Sequence, residues 1–286
     1  MPRSNSRFLQ AALAAILVFG SAATVAAERY NRYVRQSLTL QNPGAEVIDA
    51  KVWFYAPVSR TSTQQLERVE VNQPHQVSTD ALGNRVIELT HVRLAPFESR
   101  VVTLGSHLSL SPTPARERVA DTSMYLRAEK FIESDDRQIR ELAARLRAPK
   151  PAASAKAVYE WIRANIAYSG YDADEYGAKR ALERRRGDCT EFADLTVALA
   201  RALEIPARTV GGYVVESDSV LRAAEYHNWA ELYFDGAWQL VDAQRGAFAE
   251  SADRYIAFHI ASTSVDNPMQ GAERFRTSQK LLVRME

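Results

Sequence analysis

The chain has 286 residues, 46% hydrophobic and 25% charged, enough for a sizeable core in one large or two modest domains. Its formal net charge of +1 gives no electrostatic footprint for nucleic acid. One cysteine cannot form an internal disulfide, and with five scattered histidines it offers no metal-ligand spacing, so neither a metal nor another cofactor is expected.

Residues 1–27 stand apart. Arg3 and Arg7 form a basic start, Ala11 to Gly20 is an apolar run too short to span a bilayer, and Val25-Ala26-Ala27 places small residues before Glu28. This pattern reads as a cleavable signal peptide, and it predicts a periplasmic or secreted protein with no membrane attachment after cleavage. Loss of the two arginines turns the balance of +1 into −1. In an oxidising compartment a lone cysteine is either reactive or buried and inert.

Residues 28–111 read as a β-sandwich-like domain. Val34, Gln36, Leu38 and Leu40 alternate with polar residues up to the turn Asn42-Pro43-Gly44. Ile48, Val52 and Phe54 share a face of the next strand, which Pro57 ends. Gln65 to Val71, Arg85 to Val92 and Arg100 to Leu108 complete the set, with turn signals between them. Ser111-Pro112-Thr113-Pro114 and the charged residues to Asp121 open a linker over 112–132.

Helices follow. Ser134-Asp135-Asp136 is a start signal, and Ile139, Leu142 and Leu146 mark one face before Pro149 and Pro151. A second helix spans about Ser154 to Ile166. In the third, Phe192, Leu195, Leu199, Ala202 and Leu203 recur at helical spacing over about 189–203. Asp188 is a suitable N-cap, and Glu191 completes a capping box. Cys189 thus falls in the first turn, where unpaired N–H groups and the helix dipole favour a thiolate. That position predicts ionisation below the ~8.5 of a free thiol.

Beyond Ile205-Pro206, Thr209 to Val215 is a strand, and His227 to Phe234 and Ala237 to Ala243 are two more joined by Asp235-Gly236, a strong hairpin signal. With a two-residue loop, Phe234 pairs with Ala237, Leu232 with Gln239 and Ala230 with Val241. His227 and Asp242 then become diagonal neighbours on one face, about 7 Å apart at Cβ. The carboxylate would orient the imidazole and support its charge, as in a nucleophile–base–orienter triad. A three-residue loop would put the two on opposite faces. Arg254 to Ile260 and Lys280 to Arg284 are further candidate strands.

Three blocks resemble the transglutaminase-like superfamily, a branch of the papain-like thiol enzymes: Gly187-Asp188-Cys189-Thr190-Glu191-Phe192-Ala193; Leu199 through Ile205-Pro206-Ala207-Arg208 to Gly211-Gly212-Tyr213; and His227-Asn228-Trp229-Ala230-Glu231-Leu232-Tyr233 with Trp238-Gln239-Leu240-Val241-Asp242. Ile166-Ala167-Tyr168 matches the end of the helix preceding the cysteine block. The resemblance covers about residues 133–245 and implies an α+β fold. In that fold the β-sandwich-like domain is followed, over 133–286, by a catalytic core of helices packed on an antiparallel sheet.

The resemblance also implies that Cys189, His227 and Asp242 form the catalytic triad, and it alone brings Cys189 to His227. An aromatic oxyanion donor used by some members falls near Tyr176. The implied chemistry is attack on a peptide or isopeptide amide through an acyl-thioester, ending in hydrolysis or unspecified acyl transfer. A cross-linking glutamine-to-amine transglutaminase and a non-catalytic binding module are the alternatives. The expected partner is a protein or peptide substrate, with cell-envelope material a candidate, and the sequence leaves the oligomeric state open.

Overall fold

The computed structural model describes residues 28–172, 174–272 and 274–286. Residues 1–27, expected from their sequence to be a signal peptide, lie outside the described residues. The amino-terminal strands are β1 (Tyr30–Gln41), β2 (Ile48–Ala56), β3 (Gln64–Val71), β4 (Gln76–Thr79), β5 (Arg85–Leu94) and β6 (Ser99–Leu110). Along β1 the inward positions Val34, Gln36, Leu38 and Leu40 are buried and alternate with more exposed ones, the period-2 pattern of a half-buried strand. β1, β6 and β3 form one antiparallel sheet, and β2, β5 and β4 the other. Leu40, Val52, Phe54, Ile87, Leu89 and Leu104 fill the core between them.

Four helices follow: α1 (Arg137–Leu146), α2 (Pro151–Asn165), α3 (Gly177–Arg184) and α4 (Cys189–Ala202), with the paired two-residue strands β7 (Ala167–Tyr168) and β8 (Arg186–Gly187) among them. Asp136 caps α1 by accepting from the N–H groups of Gln138 and Ile139. Pro151 opens α2 at a position where no backbone N–H is required. α4 is buried along almost its whole length, and Leu195, Ala198 and Leu199 are fully enclosed by α1, α2, α3 and the sheet behind.

That sheet comes from β9 (Ala207–Val214), β11 (Tyr226–Phe234), β12 (Ala237–Asp242), β13 (Ala247–Phe248) and β14 (Tyr255–Ile260), the short strand β10 (Ser219–Val220) intervening in sequence. Its order is β13-β12-β11-β9-β14, with every pair antiparallel. Gly212 is needed at the β9–β14 contact, because a Cβ there would lie 2.0 Å from the carbonyl oxygen of Ile256. The protein is therefore α+β, with helices on an antiparallel sheet behind an amino-terminal sandwich.

The two sheet systems are tied together. β10 and β16 (Leu282–Met285) pair with β1, and β15 (Phe275–Thr277) pairs with β2, so the end of the chain completes the amino-terminal sandwich. Two buried amides satisfy the edge strand β14. Gln64 accepts from the N–H of Ala257 and donates to its carbonyl, and Asn84 does the same for Ile260. The segment after Leu110 packs on the core: Glu117 N–H donates to Gly236 O, and the Tyr125 ring meets Trp238 at 4.8 Å.

Candidate active site

Cys189 opens α4. Asp188 accepts from the Thr190 N–H at 2.7 Å, and Glu191 accepts from the Asp188 N–H at 3.0 Å, so both halves of the expected capping box are present. A Cβ at residue 187 would sit 2.3 Å from that of Glu191, so only glycine fits there. Asp188 also accepts from the N–H of Asp172, fastening the loop before α3 to the start of α4.

The hairpin has the two-residue loop. Phe234 pairs with Ala237, Leu232 with Gln239 and Ala230 with Val241. Asp235 and Gly236 both carry positive φ, 54° and 78°, as a type I′ turn requires. That register puts His227 and Asp242 on one face, 2.7 Å apart from Nε2 to Oδ2, with side chains 5% and 2% exposed. A carboxylate only accepts, so Nε2 carries the proton and Nδ1 is left as the free base nitrogen.

Asp242 is itself held in place. The Tyr255 hydroxyl donates to Oδ2 at 2.9 Å, and the Arg245 N–H donates to Oδ1 at 3.0 Å. Sequence reasoning missed Tyr255. It sits on β14, separated from β12 by two intervening strands in the sheet order, and nothing local in the sequence ties it to Asp242. Trp229 stacks beside the His227 ring with centroids 6.3 Å apart.

Asn228 joins the two halves of the site. Its Nδ2 donates to Thr190 Oγ1 at 3.0 Å, and its backbone N–H is directed at the Cys189 sulfur. The residue after His227 is thus bonded both to Cys189 and to the residue after it.

The thiol departs from the sequence expectation. Burial pushes Cys189 up to about 11, and the charge of Asp188 adds to the rise. The Asn228 N–H, the Thr190 hydroxyl and the cysteine's own N–H pull the other way without offsetting burial. Being at a helix start favours the thiolate, but enclosure by packed neighbours outweighs it. The resting group is a neutral thiol that needs a base. The rate of Cys189 alkylation by iodoacetamide is therefore expected to keep climbing well above the ~8.5 of a free thiol. A midpoint at or below that value would refute this reading of the thiol.

Tyr176 donates its hydroxyl to Asp172 at 3.0 Å, and the Arg184 guanidinium lies 4.9 Å from its ring centre. It therefore serves a niche before α3, and no contact brings it to Cys189 among the described residues. The N–H of Cys189 lies against its own sulfur. His75, His91 and His107 sit on the sandwich, and His259 stacks on Tyr55 at 4.5 Å, where burial lowers it to about 4. Among the described residues no group of His, Cys, Asp and Glu could hold a metal.

A cleft of about 320 Å³ begins at Thr190 and Asn228 and runs past Thr209 and Asp194 to Glu129 and Thr263. Asp194 is 2% exposed. Its Oδ1 accepts from the Thr209 hydroxyl at 3.0 Å, while Oδ2 has no hydrogen-bond partner. Burial, followed by the charge of Glu175, raises this acid well above the ordinary carboxylate range. An acid raised by folding stabilises the fold below its unfolded pKa, and that contribution is lost as pH rises through the folded value. Asp194→Asn should therefore melt higher than the wild type at about pH 8 and show no such gain at about pH 4. Equal differences at the two pH values, read by thermal unfolding, would contradict this.

A cysteine at the start of a buried helix, set against a sheet that carries a bonded His–Asp pair, defines a papain-like α+β core. Residues 140–243 match the model of the transglutaminase-like superfamily. An uncharacterized protein of Mycobacterium leprae is 27% identical over 143 residues, 48% of this chain and 50% of that protein, so the chain spans about half of that relative. The crystal structure of a candidate cysteine protease from Cytophaga hutchinsonii superimposes with a TM-score of 0.61 at 18% identity, over 91% of this chain and 92% of that one. It shares the fold from end to end. The periplasmic domain of TgpA from Pseudomonas aeruginosa gives a TM-score of 0.40 at 18% identity, over 73% and 87% of the two chains.

Proposed function

We propose that the protein is an exported cysteine-dependent enzyme that acts on peptide or isopeptide amides through an acyl-thioester, with Cys189, His227 and Asp242 as its triad. The observation that carries this reading is the arrangement around β11: His227 Nε2 is held by Asp242, and the next residue's N–H meets the Cys189 sulfur. His227 Nδ1 takes the thiol proton as the sulfur attacks the amide carbonyl. The oxyanion forms at the N–H of Cys189. The imidazolium then protonates the departing amine, which leaves a thioester. Water, activated by the same imidazole, releases the acid and restores the thiol. An amine in place of water would complete a transfer instead.

The neutral resting thiol suits this order, because the base is needed only once substrate is in place. Export rests on the composition of residues 1–27; among the described residues no helix is long and apolar enough to cross a membrane. The deciding experiment incubates the purified protein, and its Cys189→Ala variant, with a glutamine-containing protein and a labelled primary amine. New peptide termini or released acid, dependent on Cys189, support hydrolysis. Label incorporation supports cross-linking. No Cys189-dependent product across a peptide library would mean a non-catalytic module.

A further inference from the structure

A second cavity lies away from Cys189. It encloses about 570 Å³ between the sandwich and the core sheet, a volume in the range of small-molecule sites. Its walls are aromatic: Phe54 and Tyr55 from β2, Tyr213 from β9, Tyr226 from β11 and Phe258 from β14. Tyr213 meets Tyr226 and Phe258 edge to face, at 5.5 and 5.2 Å, an array that offers ring faces and edges to a further flat ring.

The polar groups in this apolar wall differ in kind from those of the cleft that starts at Thr190 and Asn228. Arg274 and Arg284 both line the cavity, and neither forms an ion pair with a carboxylate among the described residues. Arg274 is steered inward: its Nη1 donates to Ala223 O at 2.9 Å, and its guanidinium lies 5.1 Å from the Tyr226 ring centre. Gln36 also lines the cavity. It is 8% exposed, and its Oε1 is a buried acceptor without a donor. Edge-to-face rings, two guanidinium groups without carboxylate partners among the described residues and a waiting acceptor specify a complementary molecule.

We propose that this cavity binds a small anionic ligand with a flat aromatic body and an N–H or O–H donor. The aromatic body lies among Tyr55, Tyr213 and Phe258, the anion meets Arg274 with Arg284 at the mouth, and the donor reaches Gln36 Oε1. Tyr55 and Tyr226 also line the cleft that starts at Thr190 and Asn228, and Tyr226 immediately precedes His227. An occupant therefore rests on the back of the wall that carries the His–Asp pair. Binding does not depend on the protein being a catalyst.

The probe is 1-anilinonaphthalene-8-sulfonate, which carries a sulfonate, two aromatic systems and one N–H. Its uncharged analogue, N-phenyl-1-naphthylamine, is the control. Fluorescence titration of the folded full chain should show saturable one-to-one binding of the sulfonate. Arg274→Gln should weaken the sulfonate at least about tenfold while leaving the uncharged analogue unchanged. Ala223→Trp, at the rim and outside the hydrophobic cores, should abolish binding of both probes without lowering the melting temperature. Absence of saturable binding, equal sulfonate affinity in Arg274→Gln, or undiminished binding in Ala223→Trp would each overturn the proposal.

Discussion

Replacing His227 with alanine is expected to lower turnover by about 10⁴-fold while the protein stays folded. The loss follows from the state of the nucleophile. Cys189 rests as a thiol pushed up to about 11, so without an adjacent base almost none is ionised near neutrality. The fold survives because Asp242 keeps its Tyr255 and Arg245 donors when the imidazole is removed. Asp242→Asn should cost less, on the order of 10²-fold. His227 and Tyr255 both address Oδ2, so an amide oxygen at that position satisfies two donors, and its NH₂ faces only the Arg245 N–H. The imidazole then keeps its orientation and loses the negative charge that supports its protonated form. Tyr255→Phe removes one donor to a carboxylate and should cost about tenfold in kcat with KM unchanged. Ammonia or amine release from a glutamine-containing protein, with circular dichroism of each variant, gives the ranking. Wild-type turnover by His227→Ala would end the triad reading.

The residues around the site were legible because their signals are local. A capping box spans four residues and fixes where α4 begins, so Cys189 could be placed in its first turn. An Asp-Gly loop fixes hairpin register, and register alone carried His227 to Asp242. What failed to show was non-local. α3, with its positively charged run and left-handed Arg185 at its end, gave no apolar stripe long enough to read. β4 is exposed at all four residues and has no buried face to alternate. The strands Phe275–Thr277 and Leu282–Met285 return to β2 and β1 across more than two hundred residues, a pairing that no window of sequence reveals. The direction of the Cys189 shift belongs to the same class. Helix position is written in sequence, but desolvation depends on what packs against the sulfur from β11 and the loops.

Glu129→Ala is expected to destabilise the protein by about 3–5 kcal/mol, the cost of leaving a buried charge uncompensated. Arg201 ends α4 with its side chain 1% exposed. Its Nε donates to Ala207 O at 3.0 Å, and its Nη1 donates to Arg127 O and to Glu129 Oε1, the latter at 2.9 Å. Glu129, with its side chain 5% exposed, also accepts from the N–H and hydroxyl of Thr263 through Oε2. One carboxylate therefore neutralises the guanidinium under the helix that carries Cys189 and holds the Thr263 wall of the neighbouring cleft. Alanine removes the counter-charge and frees that wall, whereas Arg201 keeps its two carbonyl acceptors and stays enclosed. In urea the midpoint should fall with little change in slope. The double variant Arg201→Met, Glu129→Leu should recover most of the loss, since a buried pair replaced by apolar side chains of similar volume is often neutral or better. A shift below about 1 kcal/mol for Glu129→Ala, or a double variant weaker than the single one, would show that the pair does not hold this junction.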